Sequence, residues 1–287
     1  MPSTPSLSER QSRSRRWLRR FARTWRIGWR ITALNLRAQL EYRAEFLLRI
    51  AFGIAWQVSI IVFAVVLLSR FSGMGGWSSS EILLIAATRM TCNALFVLYC
   101  GNVFMLSFLV QQGLIDGFLM RPLPVYRQVQ LSSFPTNGLG DLAVGLALFA
   151  GALHRSSLHW TPGRAAYLAA AVVGGTLLIS AVFTAVSAAA LHFPAAWYWA
   201  TWVSEISSTF GTYPLSILPR TVGGLLTWVL PIAFIAYFPI GVLTGHGSSL
   251  GVPVAVAAAA PLIALGLYIG SRLLWNWSLG HYSGVNG

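Results

Sequence analysis

Residues 113–128 read GLIDGFLMRPLPVYRQ, a polar, proline-broken interruption between two long hydrophobic runs. One acid (Asp116), two arginines (Arg121, Arg127) and two prolines (Pro122, Pro124) stand where an apolar helix has just ended. Such a stretch is either a plain loop or a short helix at a membrane surface, held firmly enough to take a push from a partner. The flanking runs read as membrane spans, and the fold class expected is an all-α polytopic membrane helical bundle.

Composition agrees. Hydrophobic residues make up 56% of the 287 residues and charged residues 9%, where a soluble domain carries about a quarter charged residues. All 20 basic residues are arginine. Without lysine the Gly-Lys-Ser/Thr phosphate loop cannot be written, so no cofactor is expected on this chain, and any driving ATP must be bound by another one. Cys92 and Cys100 are eight residues apart within one expected helix, about 12 Å, too far for a disulfide. They read as small core residues.

The charge is concentrated at the front. Residues 1–50 hold twelve arginines against Glu9, Glu41 and Glu45, whereas the other 237 residues hold eight arginines and four acids. Ser14-Arg15-Arg16-Trp17-Leu18 resembles a twin-arginine export signal, but arginines continue through Arg37 where an apolar region and cleavage site are needed. A nucleic-acid arm does not suit so hydrophobic a chain. Leu18, Phe21, Trp25, Trp29, Ala33, Leu36 and Leu40 recur at helical spacing, with Arg16, Arg19, Arg23, Arg26, Arg30 and Arg37 largely opposite. This pattern describes an amphipathic helix lying among lipid headgroups; a solvated basic tail is the alternative. Either places the N-terminus in the cytoplasm.

At about 20 apolar residues per crossing, six transmembrane helices are expected near 46–68, 82–110, 132–152, 165–191, 221–244 and 252–275. Both termini and residues 111–131 and 192–220 then lie inside. The 192–220 stretch is rich in Trp197, Tyr198, Trp199 and Trp202, which suits an interfacial or re-entrant helix, with a seventh span as the alternative. Pro231 and Pro239 would kink the fifth span. Gly241–Gly245 and Gly266–Gly270 have the spacing of close helix contacts.

Arg89 and Asp141 fall inside the second and third spans at similar depth. A lone intramembrane charge is costly, so two expectations stand: an Arg89–Asp141 pair that fixes helix packing, or a polar translocation path. No catalytic or metal-binding constellation is visible. The five histidines (154, 159, 192, 246, 281) are scattered, and HExxH and GxSxG are absent.

The segment Gly113-Leu-Ile-Asp116-Gly-Phe-Leu-Met-Arg121-Pro122-Leu123 resembles the signature of a branch of ABC-2-type transporter permeases. Other pieces fit in order: Glu41-Tyr42-Arg43 with Phe46, Gly140-Asp141, Tyr213-Pro214, Leu230-Pro231, Tyr237-Phe-Pro239 and Gly280-His-Tyr282-Ser-Gly284. The resemblance implies a six-span exporter permease in a bacterial cytoplasmic membrane, paired with an identical or homologous permease. It would dock on two copies of a separate ATPase that binds ATP and Mg. It also implies that Gly113, Asp116, Arg121, Pro122 and Leu123 form the cytoplasmic coupling helix within 111–131. Residues 1–45 would then be an arginine-rich tail and connecting helix (17–42), and 46–287 the transmembrane domain. Family members often carry a charge directly after the glycine and basic residues before it. Here Leu114, Gln111 and Gln112 stand there, which leaves a more apolar coupling surface or a shifted register. An ATPase-independent transporter or channel is the alternative function. The cargo is not specified by the resemblance; aromatic and alanine-rich walls, which every membrane protein has, suit a hydrophobic or amphiphilic one.

Overall fold

The computed structural model describes residues 26–70, 73–156, 158–193 and 195–282. They form an all-α bundle with one very short hairpin, Gly73–Met74 (β1) against Trp77–Ser78 (β2). The main helices are α1 (26–41), α2 (Arg43–Arg70), α3 (Ser79–Cys100), α7 (Asn137–Arg155), α8 (Pro162–Ala190), α9 (Ala196–Phe210) and α13 (Ala260–Gly280). The short helices α4 (Leu106–Gln111), α5 (Asp116–Leu119) and α6 (Val125–Gln130) follow α3, and α10 (Arg220–Trp228), α11 (Tyr237–Leu243) and α12 (Val254–Ala258) precede α13. Among the described residues, three helices are long and apolar enough to cross a membrane: Arg43–Val62, Ser79–Gln111 and Pro162–Ala190.

Local chemistry sets the ends. Gly75 and Gly76 both take positive φ and turn the hairpin. Ser78 then caps α3 in a reciprocal box with Glu81. Pro162 opens α8 behind the Thr161 cap.

Helix α7 is wedged between α2 and α3. A Cβ on Gly140 would collide with the Ile50 carbonyl oxygen of α2, and one on Gly53 would lie 2.5 Å from the Asn137 carbonyl oxygen. These glycines let two backbones approach as larger residues could not. Gly266 and Gly270, by contrast, face open space.

Two ends of the bundle can be told apart. The near end gathers residues 101–136, the C-terminus of α8 and residues 280–282: Ser187 bonds the Val103 carbonyl, and Tyr126 bonds Thr184. The far end gathers the 73–78 hairpin and residues 244–252, joined where His246 stacks on Trp77 at 4.2 Å.

The span expected near 221–244 is not one helix. It breaks into α10, a 3-10 turn at Ile232–Phe234, and α11. Gly75 at the far end meets Ile217 and Ser216. Ile232 has descended beside Gly211, next to Arg89, and by Tyr237 the chain is back against Trp77. Residues 218–246 thus enter from the far end and return to it. Pro231 supplies the break because it offers no N–H to continue a helix. The crossing from near to far end is made instead by α9 and residues 211–217, within the stretch expected to be interfacial or re-entrant. Residues 232–238 and 240 are all buried, so their hydrophobicity serves packing inside the protein, which hydropathy cannot distinguish from contact with lipid.

Candidate functional site

The segment between α4 and α6 is a braced cap over the near end. Helix α4 stops in a left-handed turn at Gly113, φ 68°. There the Leu114 N–H bonds the Leu109 carbonyl and the Gly113 N–H bonds the Val110 carbonyl, the two-bond closure that favours glycine. The chain then drops Ile115 into the core, fully buried, before forming α5.

Three contacts hold the cap. Gln128 of α6 donates through Nε2 to the Phe118 carbonyl at 2.9 Å and the Leu123 carbonyl at 2.6 Å, tying both limbs of the turn together. Arg121 lies 5.5 Å from the Phe118 ring centroid. Asp116 faces Tyr282 beyond the end of α13. Asp116 Oδ1 and the Tyr282 hydroxyl are both buried without a hydrogen-bond partner of good shape, yet burial and then the nearby Asp116 carboxylate push the Tyr282 phenol up. Outward, the cap presents Leu114, Leu119, Leu123 and Met120, the last 89% exposed. Of the residues implied as coupling residues, Arg121, Pro122 and Leu123 are exposed, whereas Gly113 and Asp116 are partly buried and shape the turn.

Tyr126 joins the cap to the bundle. Its hydroxyl lies 2.8 Å from Thr184 Oγ1 and 3.1 Å from Cys100 Sγ. Thr184 already donates to the Ser180 carbonyl, so Tyr126 donates to Thr184 and accepts from the Cys100 thiol. Burial, chiefly, pushes its phenol up. Arg272 of α13 lies over its ring, and Trp275 meets it edge-on at 5.9 Å. The resemblance implied no role for Gln128, Tyr126 or Arg272. An arginine in the last span with no acid at reach was the available signal.

Helix α1 lies beside this cap. Asn35 Nδ2 donates to the Leu131 carbonyl and Gln39 Nε2 to the Phe134 carbonyl, both at 2.7 Å. The face packed on the protein is thus Gly28, Thr32, Asn35 and Gln39, and not the apolar face. Trp29 (71% exposed) and Leu40 point outward, as do Arg26 and Arg30. Trp17, Phe21, Arg23 and Trp25 lie outside the described residues.

Arg89 and Asp141 are not brought together. Both are buried, but no ion pair joins them among the described residues. Asp141 lies against Gly53 and accepts from Gln57 of α2. Arg89 is directed at Gly211, its Nε without a partner. Similar depth on adjacent helices fixes height but not direction around the axis, and these two point to different neighbours. No cluster of three or more metal-ligating side chains occurs among the described residues.

A family model described as "ABC-2 family transporter protein" matches residues 54–285. The chain belongs to this family. No curated relative and no solved structure matches it. As an ABC-2 permease it is a membrane protein and a transport component. The match takes in the cap, Tyr126, Arg272 and Tyr282, and it leaves α1 outside.

Proposed function

We propose that this chain is the membrane-spanning permease subunit of an ATP-driven exporter. Two copies of a separate ATPase, holding ATP and Mg, would press on the cap formed by residues 112–124. The permease pairs with an identical or homologous copy. It moves a hydrophobic or amphiphilic substrate across a bacterial cytoplasmic membrane by alternating access. It crosses six times, at α2, α3–α4, α7, α8, 196–217 and α12–α13, with the near end and both termini in the cytoplasm. Trp29 and the Arg26/Arg30 face of α1 lie at the membrane surface.

One observation carries this reading: apolar side chains (Leu114, Leu119, Met120) stand exposed on a cap that is itself tied down by Gln128, Ile115 and Tyr126. Exposed leucine and methionine beyond the end of a membrane bundle need a protein partner more than they need water. A rigid mount lets a push there reach the helices.

The test is co-purification of an ATPase with the full chain in mild detergent, for wild type and for Leu119→Glu/Met120→Glu. Both residues are surface residues, so the variant should melt like wild type. The expected result is an ATPase retained by wild type and lost from the variant. An ATPase absent from wild type, or retained equally by the variant, sinks the reading and makes an ATPase-independent transporter or channel the better account.

A further inference from the structure

Two cavities flank α1 where it crosses the residues after the cap, and one arginine serves both. The first, about 330 Å³, is floored by Ile27, Ile31, Phe118 and Leu131 and carries Arg121 and Arg127. The second, about 380 Å³, is floored by Val97, Leu98 and Phe134, has the exposed Trp29 at its rim, and again carries Arg127. Arg127 Nη1 sits at the junction, 3.9 Å from where a Gly28 Cβ would stand. Among the described residues no carboxylate lies within 4 Å of it and no hydrogen bond engages its guanidinium.

A half-buried cation without a counter-charge, above two apolar-floored openings and beside an outward-facing tryptophan, has a definite complement. We propose that this junction binds an anionic phospholipid. The phosphodiester would take a paired contact from the Arg127 guanidinium, and the acyl chains would run over the isoleucine and valine floors. Arg26 and Arg30 on the outer face of α1 add to the same field.

Charge decides against the chain's own front end as occupant. Residues 1–25 hold seven arginines and one glutamate, so they would bring like charge to Arg127. A bound lipid would tie α1 to the cap, since Asn35 and Gln39 already hold α1 to residues 131–134. The site does not depend on the ATPase reading, because lipid retention is measured on the permease alone.

The experiment is native mass spectrometry of the delipidated full chain with phosphatidylglycerol, cardiolipin or phosphatidylcholine added back. The variants are Arg127→Gln, Gly28→Leu and, at the opposite end, Arg155→Gln. Gly28→Leu keeps the charge and fills the junction, so it covers the case in which Arg127→Gln folds poorly; detergent melting is recorded for each. The expected result is preferential retention of the two anionic lipids, reduced about ten-fold in Arg127→Gln and Gly28→Leu and unchanged in Arg155→Gln. Equal retention by both near-end variants overturns the proposal. So does equal retention of phosphatidylcholine, or full displacement by millimolar inorganic phosphate, which would make this a site for the free ion.

Discussion

The guanidinium carbon of Arg272 lies 3.4 Å from the ring centroid of Tyr126, and this contact joins the last helix of the bundle to the first helix after the cap. With Thr184 and Cys100 on the hydroxyl, one side chain of α6 binds three other helices, α3, α8 and α13. A cation held over an aromatic face away from water contributes about 2 kcal/mol, and truncating a large buried aromatic costs about 3–5 kcal/mol. Tyr126→Ala should therefore lower detergent stability severely. Tyr126→Phe keeps the ring under Arg272 and loses only the hydroxyl bonds, so it should cost about 1 kcal/mol. Thermal melting of the two variants checks the order. Equal losses would mean that the hydroxyl, not the ring, makes the joint.

Gly113 and Gly117 stand four residues apart in the cap with opposite demands. Gly113 is left-handed, so Gly113→Ala should cost about 1–2 kcal/mol. Gly117 has helical neighbours and open space where a Cβ would go, so Gly117→Ala should be neutral or stabilising by up to about 1 kcal/mol. Melting curves that rank the two variants the other way would show that Gly113 does not hold a left-handed turn at the end of α4.

Arg89 and Asp141 should behave as independent residues. A double-mutant cycle of Arg89→Leu with Asp141→Asn is expected to be additive within about 0.5 kcal/mol. The cycle of Gln57→Leu with Asp141→Asn should show coupling, because those two side chains touch. Strong coupling between Arg89 and Asp141 would restore the pair suggested by their depth.

Tyr282 offers a readout at high pH. Its phenol is pushed up by burial and by Asp116, above its ordinary value of about 10. Neutral Tyr282 therefore supports the fold fully below that ordinary value. Its support is lost as pH rises through the raised folded value. Tyrosinate absorbance of wild type minus Tyr282→Phe isolates its titration. The same difference in an Asp116→Asn background should move toward the ordinary value, and no movement would separate the two residues.

The sequence made the membrane class and most of the helix positions plain, because α2, α3, α7, α8 and α13 each pair an apolar run with polar or glycine-rich ends. It also pointed to the cap, whose prolines and glycine punctuate the chain. Two things were hidden for physical reasons. The residues of α9 that face outward include Thr201 and Glu205, which dilute its hydropathy. Residues 232–240 are apolar because protein surrounds them, and they look like a lipid-facing span. Direction around a helix axis was also illegible: depth suggested an Arg89–Asp141 pair, but the two side chains point to different neighbours.

A stretch that leaves the far end and comes back to it adds nothing to the tally of crossings, and this bears on how the chain is built. A membrane tolerates a chain reversal at depth only where other protein encloses it. The turn around Pro231 and Ile232 is enclosed partly by α8, since Gly175 meets Ile235, and partly by α13, which follows it in the chain and packs against Ile232–Phe234. Residues 218–246 therefore cannot settle as they emerge during synthesis. They must wait for the final helix to arrive, so a chain shortened before α13 would lose this hairpin along with the helix it lacks.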